Sequence, residues 1–237
     1  MYEIIGRVAF SRCGEDGRMK LPALVDAFQD CSMLEAEDLS MGLSLAGDLG
    51  GAWILASWNI EIHRRPVFAE KIVVATWPRS FDRFFGFRNY TMRTAGGELL
   101  AAADSCWIFF DFTKGKAVRI PDVVADAYQD LVGEGFPVES RSRKIREPKE
   151  MAEGPTFTAG PMDIDINHHV NNSRYLWMAG DLLALPWETG VLRVEYRNAV
   201  RVGEKVTLFS AEQGEKRTIS LRGKEGSARV IMEAERG

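Results

Sequence analysis

At 237 residues and 26.5 kDa the chain is long enough to bury one large core or two small ones. Its composition, 46% hydrophobic and 27% charged, is that of an ordinary globular protein, and a net charge of −4 gives no general reason to expect nucleic acid as a partner. No apolar run approaches the roughly 20 residues of a membrane-spanning helix, and "MYEIIGRVAF" lacks a charged stretch followed by an apolar one, so the expected location is the cytoplasm, without a membrane anchor.

In chain order, the first strong element is helical. "LPALVDAFQDCSMLEAEDL" carries Leu21, Leu24, Val25, Phe28 and Cys31 at helical spacing, with Pro22 in the first turn, where a missing N–H costs nothing. β-Type segments follow at Trp53 to His63, Lys71 to Trp77, Phe85 to Arg93 and Leu99 to Phe112, punctuated by Arg-Pro, Trp-Pro, Gly-Gly and Lys-Gly. Residues 132–154, containing "VGEGFPVESRSRKIREPKE", are charged and bear Gly and Pro, as a connection does. "NSRYLWMAGDLLAL" then places Tyr175, Met178, Ala179, Leu182 and Leu183 on one helical face, with Asn171 or Asn172 as cap and Pro186 as stop. A second β-type series occupies Val191 to Arg197, Lys205 to Gln213, Arg217 to Arg222 and Ala228 to Glu235.

The two series are related. "IEIHRRPVFAEKIVV" aligns without gaps on "VEYRNAVRVGEKVTL" at an offset of 134 residues, matching Glu61 to Glu195, Glu70 to Glu204 and Lys71 to Lys205. A long helix ahead of antiparallel strands, repeated, predicts two α+β units, residues 1–131 and 155–237, each wrapping a sheet around its helix. No G-x-G-x-x-G or Walker loop occurs, so no nucleotide cofactor is expected. Cys13, Cys31 and Cys106 are widely spaced and odd in number, which implies neither a disulfide framework nor a zinc ribbon.

"MDIDINHHVNNSRYLWMAGD", from Met162 to Asp181, concentrates Asp163, Asp165, Asn167, His168 and His169. In an extended segment Asp163, Asp165, Asn167 and His169 share one side, gathering acid, amide and imidazole, while His168 takes the other. With the two adjacent histidines on opposite faces and only His63 elsewhere, a metal site is disfavoured and none is expected. A helix cap accounts for Asn171 or Asn172 but leaves Asp165, Asn167 and His169 unexplained. The first half shows no D-x-D-x-N-x-H string.

Four blocks, "GRMKLPALVDAFQD", "WNIEIHRRPVFAEKIVVATWPRSF", "DSCWIFFDFTKGKAVRIPDVV" and "DIDINHHVNNSRYLWM", resemble in order the successive blocks of the acyl-acyl carrier protein thioesterases. The resemblance implies a tandem hotdog fold and release of free fatty acid from acyl carrier protein, with no cofactor. It assigns catalysis to Asp165, Asn167 and His169 in the second half and acyl binding to the first, where Met33, Leu34, Trp53 and Leu55 are candidate lining residues. A Glu and a Cys of the family pattern fall on Ala199 and Val200, which excludes a Cys nucleophile there and leaves both Asp165 and His169 as candidate bases. A pantetheine thiol, with a pKa of about 8.5, departs with little acid assistance. An acyl-CoA thioesterase and a non-catalytic acyl-binding protein are the alternatives, and homodimer formation is left open. The partner implied is an acidic carrier protein, for which "RSRKIR", with Arg141, Arg143, Lys144 and Arg146, is the expected docking cluster.

Overall fold

The computed structural model describes residues 1–42, 47, 49–135, 138–139, 141–183 and 189–236. The first helical pattern becomes α1 (Leu21–Asp38), with Pro22 in its opening turn. Leu24, Val25, Phe28 and Cys31 point into the core and are fully buried. Beyond the helix Ser40 turns to φ 58°, a left-handed conformation that ends helical bonding.

Strands β1 (Tyr2–Arg7), β2 (Gly51–Ile62), β3 (Lys71–Asp82), β4 (Phe85–Thr94), β5 (Leu99–Asp111) and β6 (Lys116–Ala117) accompany α1 and a short helix α2 (Asp122–Gln129). The second unit comprises β7 (Ala152–Thr158), α3 (Arg174–Ala179), β8 (Gly190–Tyr196), β9 (Lys205–Gln213), β10 (Lys216–Arg222) and β11 (Ala228–Arg236). All strands join one 11-stranded sheet in the order β1-β3-β4-β5-β2-β8-β11-β10-β9-β7, with β6 beside β5. The halves meet where β2 pairs antiparallel with β8, from Ser57 opposite Glu195 to Ile62 opposite Gly190. Backbone pairing therefore runs unbroken from one half into the other.

The alternation of strand residues gives the sheet two distinct faces. Trp58, Ile60, Ile62, Leu192 and Val194 are buried on the helix face. There the ring of Phe28 lies 6.1 Å from Trp58 and 5.4 Å from Tyr90, at the centre of a core shared by both halves. Asn59, Glu61, Arg193 and Glu195 point to the back, and the connecting segment crosses them. Asn59 Nδ2 donates to the Glu139 carbonyl at 3.0 Å, the Glu139 N–H to Glu61 at 2.7 Å and the Ile145 N–H to Glu195 at 2.7 Å. The middle of the connection is thus a strap bound to the back of the sheet, and its last residues already belong to β7.

The second helix departs from its sequence pattern. α3 has six residues, ends at Gly180 (φ 52°) and passes into a 3-10 turn, Gly180–Leu183. A positive φ at Gly180 cannot continue a right-handed helix, so the apolar face predicted through Leu183 is split between two elements. The expected stop at Pro186 lies outside the described residues.

Candidate active site

The Asp/Asn/His cluster is held in a tight turn, which corrects the extended reading and its alternation of faces. A 3-10 turn at Pro161–Asp163 leads to Ile164, which bridges to Val170 and closes a loop over the residues between. Within the loop the Asp165 N–H donates to the His169 carbonyl at 2.9 Å, the His168 N–H to the Asp165 carbonyl at 3.0 Å and the Asn167 N–H to Asp165 Oδ1 at 2.8 Å. His168 takes φ 61° to make the reversal. Asp163 braces the entry, accepting the Gly160 N–H at 2.9 Å and pairing with Arg174 at 3.3 Å. Asn171 braces the exit, its Oδ1 accepting the Ser173 N–H at 2.9 Å.

Several residues that the sequence pattern did not single out fasten this turn to the body. The Val170 N–H donates to the Val200 carbonyl at 2.9 Å, and the Val200 N–H donates to the Tyr175 hydroxyl at 3.1 Å. Val200, on which the resemblance places a Cys, is buried and contributes backbone, while Ala199 beside it is exposed. Tyr196 donates to the Asn172 carbonyl at 3.1 Å, and Asn172 Nδ2 donates to Gln29 Oε1 on α1 at 2.9 Å. The turn therefore sits on the helix face, where the second half meets α1 of the first. Burial, with a smaller contribution from the charge of Asp165, raises the Tyr175 phenol above its usual range and keeps it a neutral hydrogen-bonding post.

Two consequences follow for chemistry. The carboxamide of Asn167 and the imidazole of His169 hydrogen-bond to no described residue and stand open to a ligand, exposed and half-buried respectively. The opening amides of α3 are largely taken. Those of Ser173, Arg174, Leu176 and Trp177 are already bonded, to Asn171 and Ser173 acceptors. The N–H groups of His169 and Asn172 have no described partner.

The first half, which has no D-x-D-x-N-x-H string, nevertheless holds the same backbone turn without the same chemistry. There Cys13 bridges to Met19 after a 3-10 turn at Phe10–Arg12. The Gly14 N–H donates to the Arg18 carbonyl at 2.9 Å and the Gly17 N–H to the Gly14 carbonyl at 3.0 Å. Gly14, Asp16, Gly17 and Arg18 stand where the second half has Asp165, Asn167, His168 and His169. The match extends to the loops ahead of β3 and β9, where Glu70 and Glu204 each accept the N–H three residues before them, at 2.9 and 2.8 Å. At the left-handed position Gly17 has φ 69° where His168 has 61°. A side chain there costs on the order of 1 kcal/mol, so His168→Gly is expected to hold or raise the melting temperature by a few degrees, as read by a thermal melt. A clear fall in melting temperature would show that the His168 side chain supports the turn.

The remaining predicted residues are dispersed. Met33 and Trp53 line a cavity beneath α2, whereas Leu34 is 48% exposed on α1 and Leu55 is buried in the main core. Arg141 bonds Glu139 at 2.6 Å and Glu235 at 3.1 Å and so fastens the strap, Arg143 lies 4.7 Å over the Phe85 ring, and Lys144 and Arg146 are exposed. Burial pushes the Cys31 thiol up to about 12 and that of Cys106 to about 11, so neither is a ready thiolate. Among the described residues no three His, Cys, Asp or Glu side chains gather as metal ligands, and no helix is long and apolar enough to cross a membrane.

Two sheet-and-helix units fused edge to edge, with one equipped turn between them, define a tandem hotdog protein. The acyl-ACP thioesterase N-terminal domain model matches residues 5–128 and the C-terminal domain model residues 146–231. The chain belongs to the acyl-ACP thioesterase family. It is 26% identical over 189 residues to oleoyl-acyl carrier protein thioesterase 2, chloroplastic, of Arabidopsis thaliana, covering 74% of this chain and 52% of that protein. The chain thus spans about half the length of the curated relatives it matches. The fold matches an acyl-ACP thioesterase from Bacteroides thetaiotaomicron with a TM-score of 0.86 at 22% identity, over 98% of this chain and 96% of the other. It matches the 12:0-ACP thioesterase from Umbellularia californica with a TM-score of 0.83 at 17% identity, over 99% and 96%.

Proposed function

We propose that the protein hydrolyses the thioester of a fatty acyl-acyl carrier protein, with Asp165, Asn167 and His169 as its catalytic residues, the first unit as the acyl-binding half and the second as the catalytic half. The observation that carries the reading is the paired turn. The fold builds the same backbone twice, and only the copy at the inter-half junction bears a carboxylate, a free carboxamide and a free imidazole. The thioester carbonyl lies against this turn, its developing oxyanion met by the Asn172 N–H and the Asn167 carboxamide. Asp165 or His169 takes the proton of the attacking water. The intermediate collapses by expelling the pantetheine thiolate, which at a pKa of about 8.5 needs little acid. Family membership supports a carrier-protein substrate, and no step calls for a cofactor. Release of free fatty acid from a panel of carrier-protein and CoA thioesters tests the reading. No cleavage of any member would overturn it, and equal cleavage of both series would move the substrate to any pantetheine thioester.

Charge offers the carrier protein two docking patches. Arg143, Lys144 and Arg146 lie on the strap, behind the sheet, while Arg201 and Lys20 flank the turn on the helix face, Lys20 sitting 4.9 Å over the Trp177 ring. The pantetheine arm must deliver its thioester to the turn, so proximity favours the second patch. Reversing Arg201 and Lys20 to Glu is expected to lower kcat/KM for a carrier-protein substrate on the order of 10-fold, to spare a small pantetheine thioester, and to fade with added salt. Reversing the strap residues, with Arg141 left in place, should do less. A larger loss from the strap variant would restore that cluster as the docking site.

A further inference from the structure

The cavity under α2 is mostly apolar, lined by Met33, Ala36, Trp53, Phe81 and Trp107, yet it has a polar corner. Arg88 of β4, 8% exposed, forms an ion pair with Glu35 of α1, 2% exposed, and donates to Thr76 Oγ1 at 3.0 Å. Its guanidinium lies 5.5 Å over the ring of Tyr128 from α2. Tyr128 is 3% exposed, lines the cavity, and its hydroxyl hydrogen-bonds to no described residue. Burying an ion pair carries a desolvation cost that a purely hydrocarbon guest does nothing to offset, and such a guest leaves the Tyr128 hydroxyl without a partner. An oxygen on the guest offsets it directly.

The cavity is also placed along the path of an acyl chain. Gln29 touches Asn172 beside the reactive turn, and the Ser32 hydroxyl, one turn further along α1, donates to the Gln29 carbonyl at 2.8 Å and borders the cavity. Glu35 is six residues beyond Gln29, about 9 Å along a helix. The polar corner therefore meets the chain beyond its carbonyl.

We propose that this chamber selects acyl chains bearing a hydroxyl or oxo oxygen along their length, recognised by Arg88 and Tyr128; the inference rests on the thioesterase reading. A site built to hydrogen-bond a substrate oxygen discriminates against the analogue that lacks it. The test is calorimetric titration of the protein with free acids of equal carbon number, one saturated and the others carrying hydroxyl or oxo at successive positions. At least one oxygenated acid is expected to bind about 10-fold or more tightly than the saturated acid. Tyr128→Phe, which keeps the ring, should erase most of that preference by weakening the oxygenated acid while leaving the saturated acid and the melting temperature unchanged. The inference is overturned if the saturated acid binds as tightly as every oxygenated one, or if Tyr128→Phe preserves the ratio. The same acids presented as pantetheine thioesters separate the two claims. Discrimination in binding without cleavage sinks the hydrolase reading alone, and cleavage without discrimination sinks the chamber alone.

Discussion

Replacing Asp165 by Asn, or His169 by Ala, is expected to lower kcat for thioester hydrolysis by about 100-fold or more, the scale of a lost acid–base group. The melting temperature should move by no more than a few degrees. The molecule contains its own control for this separation. The first-half turn closes with Gly14 at the position of Asp165 and Arg18 at that of His169, through backbone bonds of the same lengths. Neither side chain is therefore needed to shape the loop, and Asn at 165 can still accept the Asn167 N–H that Asp165 Oδ1 now holds. Single-turnover hydrolysis beside a thermal melt checks the claim. Near-normal turnover in both variants would remove the turn from the chemistry.

Much of this arrangement was legible in the sequence because burial writes periodicity. α1 and the strands from β2 to β5 and from β8 to β11 have apolar positions fixed by one shared core, so their patterns give type and extent to within a few residues. β1 and β7 are the outer strands of the sheet, and β7 is exposed along nearly its whole length, which leaves little alternation to read. The residues proposed as catalytic were legible as a composition and as a motif carried by the resemblance, but their geometry was not. An alternating D-x-D-x-N-x-H string reads as a strand, whereas the backbone bond from Asp165 to His169 folds it into a loop. The first-half copy escaped notice for the complementary reason: "CGEDGRM" shares backbone geometry with "IDINHHV" and almost no side chains. Gln29 carried no signal at all, since its role depends on Asn172, which lies 143 residues away.

Glu35→Leu is expected to destabilise the protein by about 3–5 kcal/mol, because it leaves the Arg88 guanidinium buried without its counter-ion. For a chain of this size each kcal/mol shifts the melting temperature by roughly 2–4 °C, so the drop should be on the order of 10 °C. The double variant Glu35→Leu/Arg88→Met removes both charges, and buried ion pairs replaced by apolar side chains of similar volume are often neutral or stabilising. It should recover most of the loss, giving a strongly non-additive cycle in thermal or denaturant unfolding. Additive losses would show that the two residues contribute independently, through Thr76 and the Tyr128 ring for Arg88 and through helix packing for Glu35. Recovery would show that the core of the first half does not need this pair in order to fold. The cavity beside Arg88 is mostly apolar, with Met33, Trp53, Phe81 and Trp107 among its lining side chains, so recovery is also the outcome that the proposed recognition of a guest oxygen expects, since it leaves the charge pair without a stabilising role.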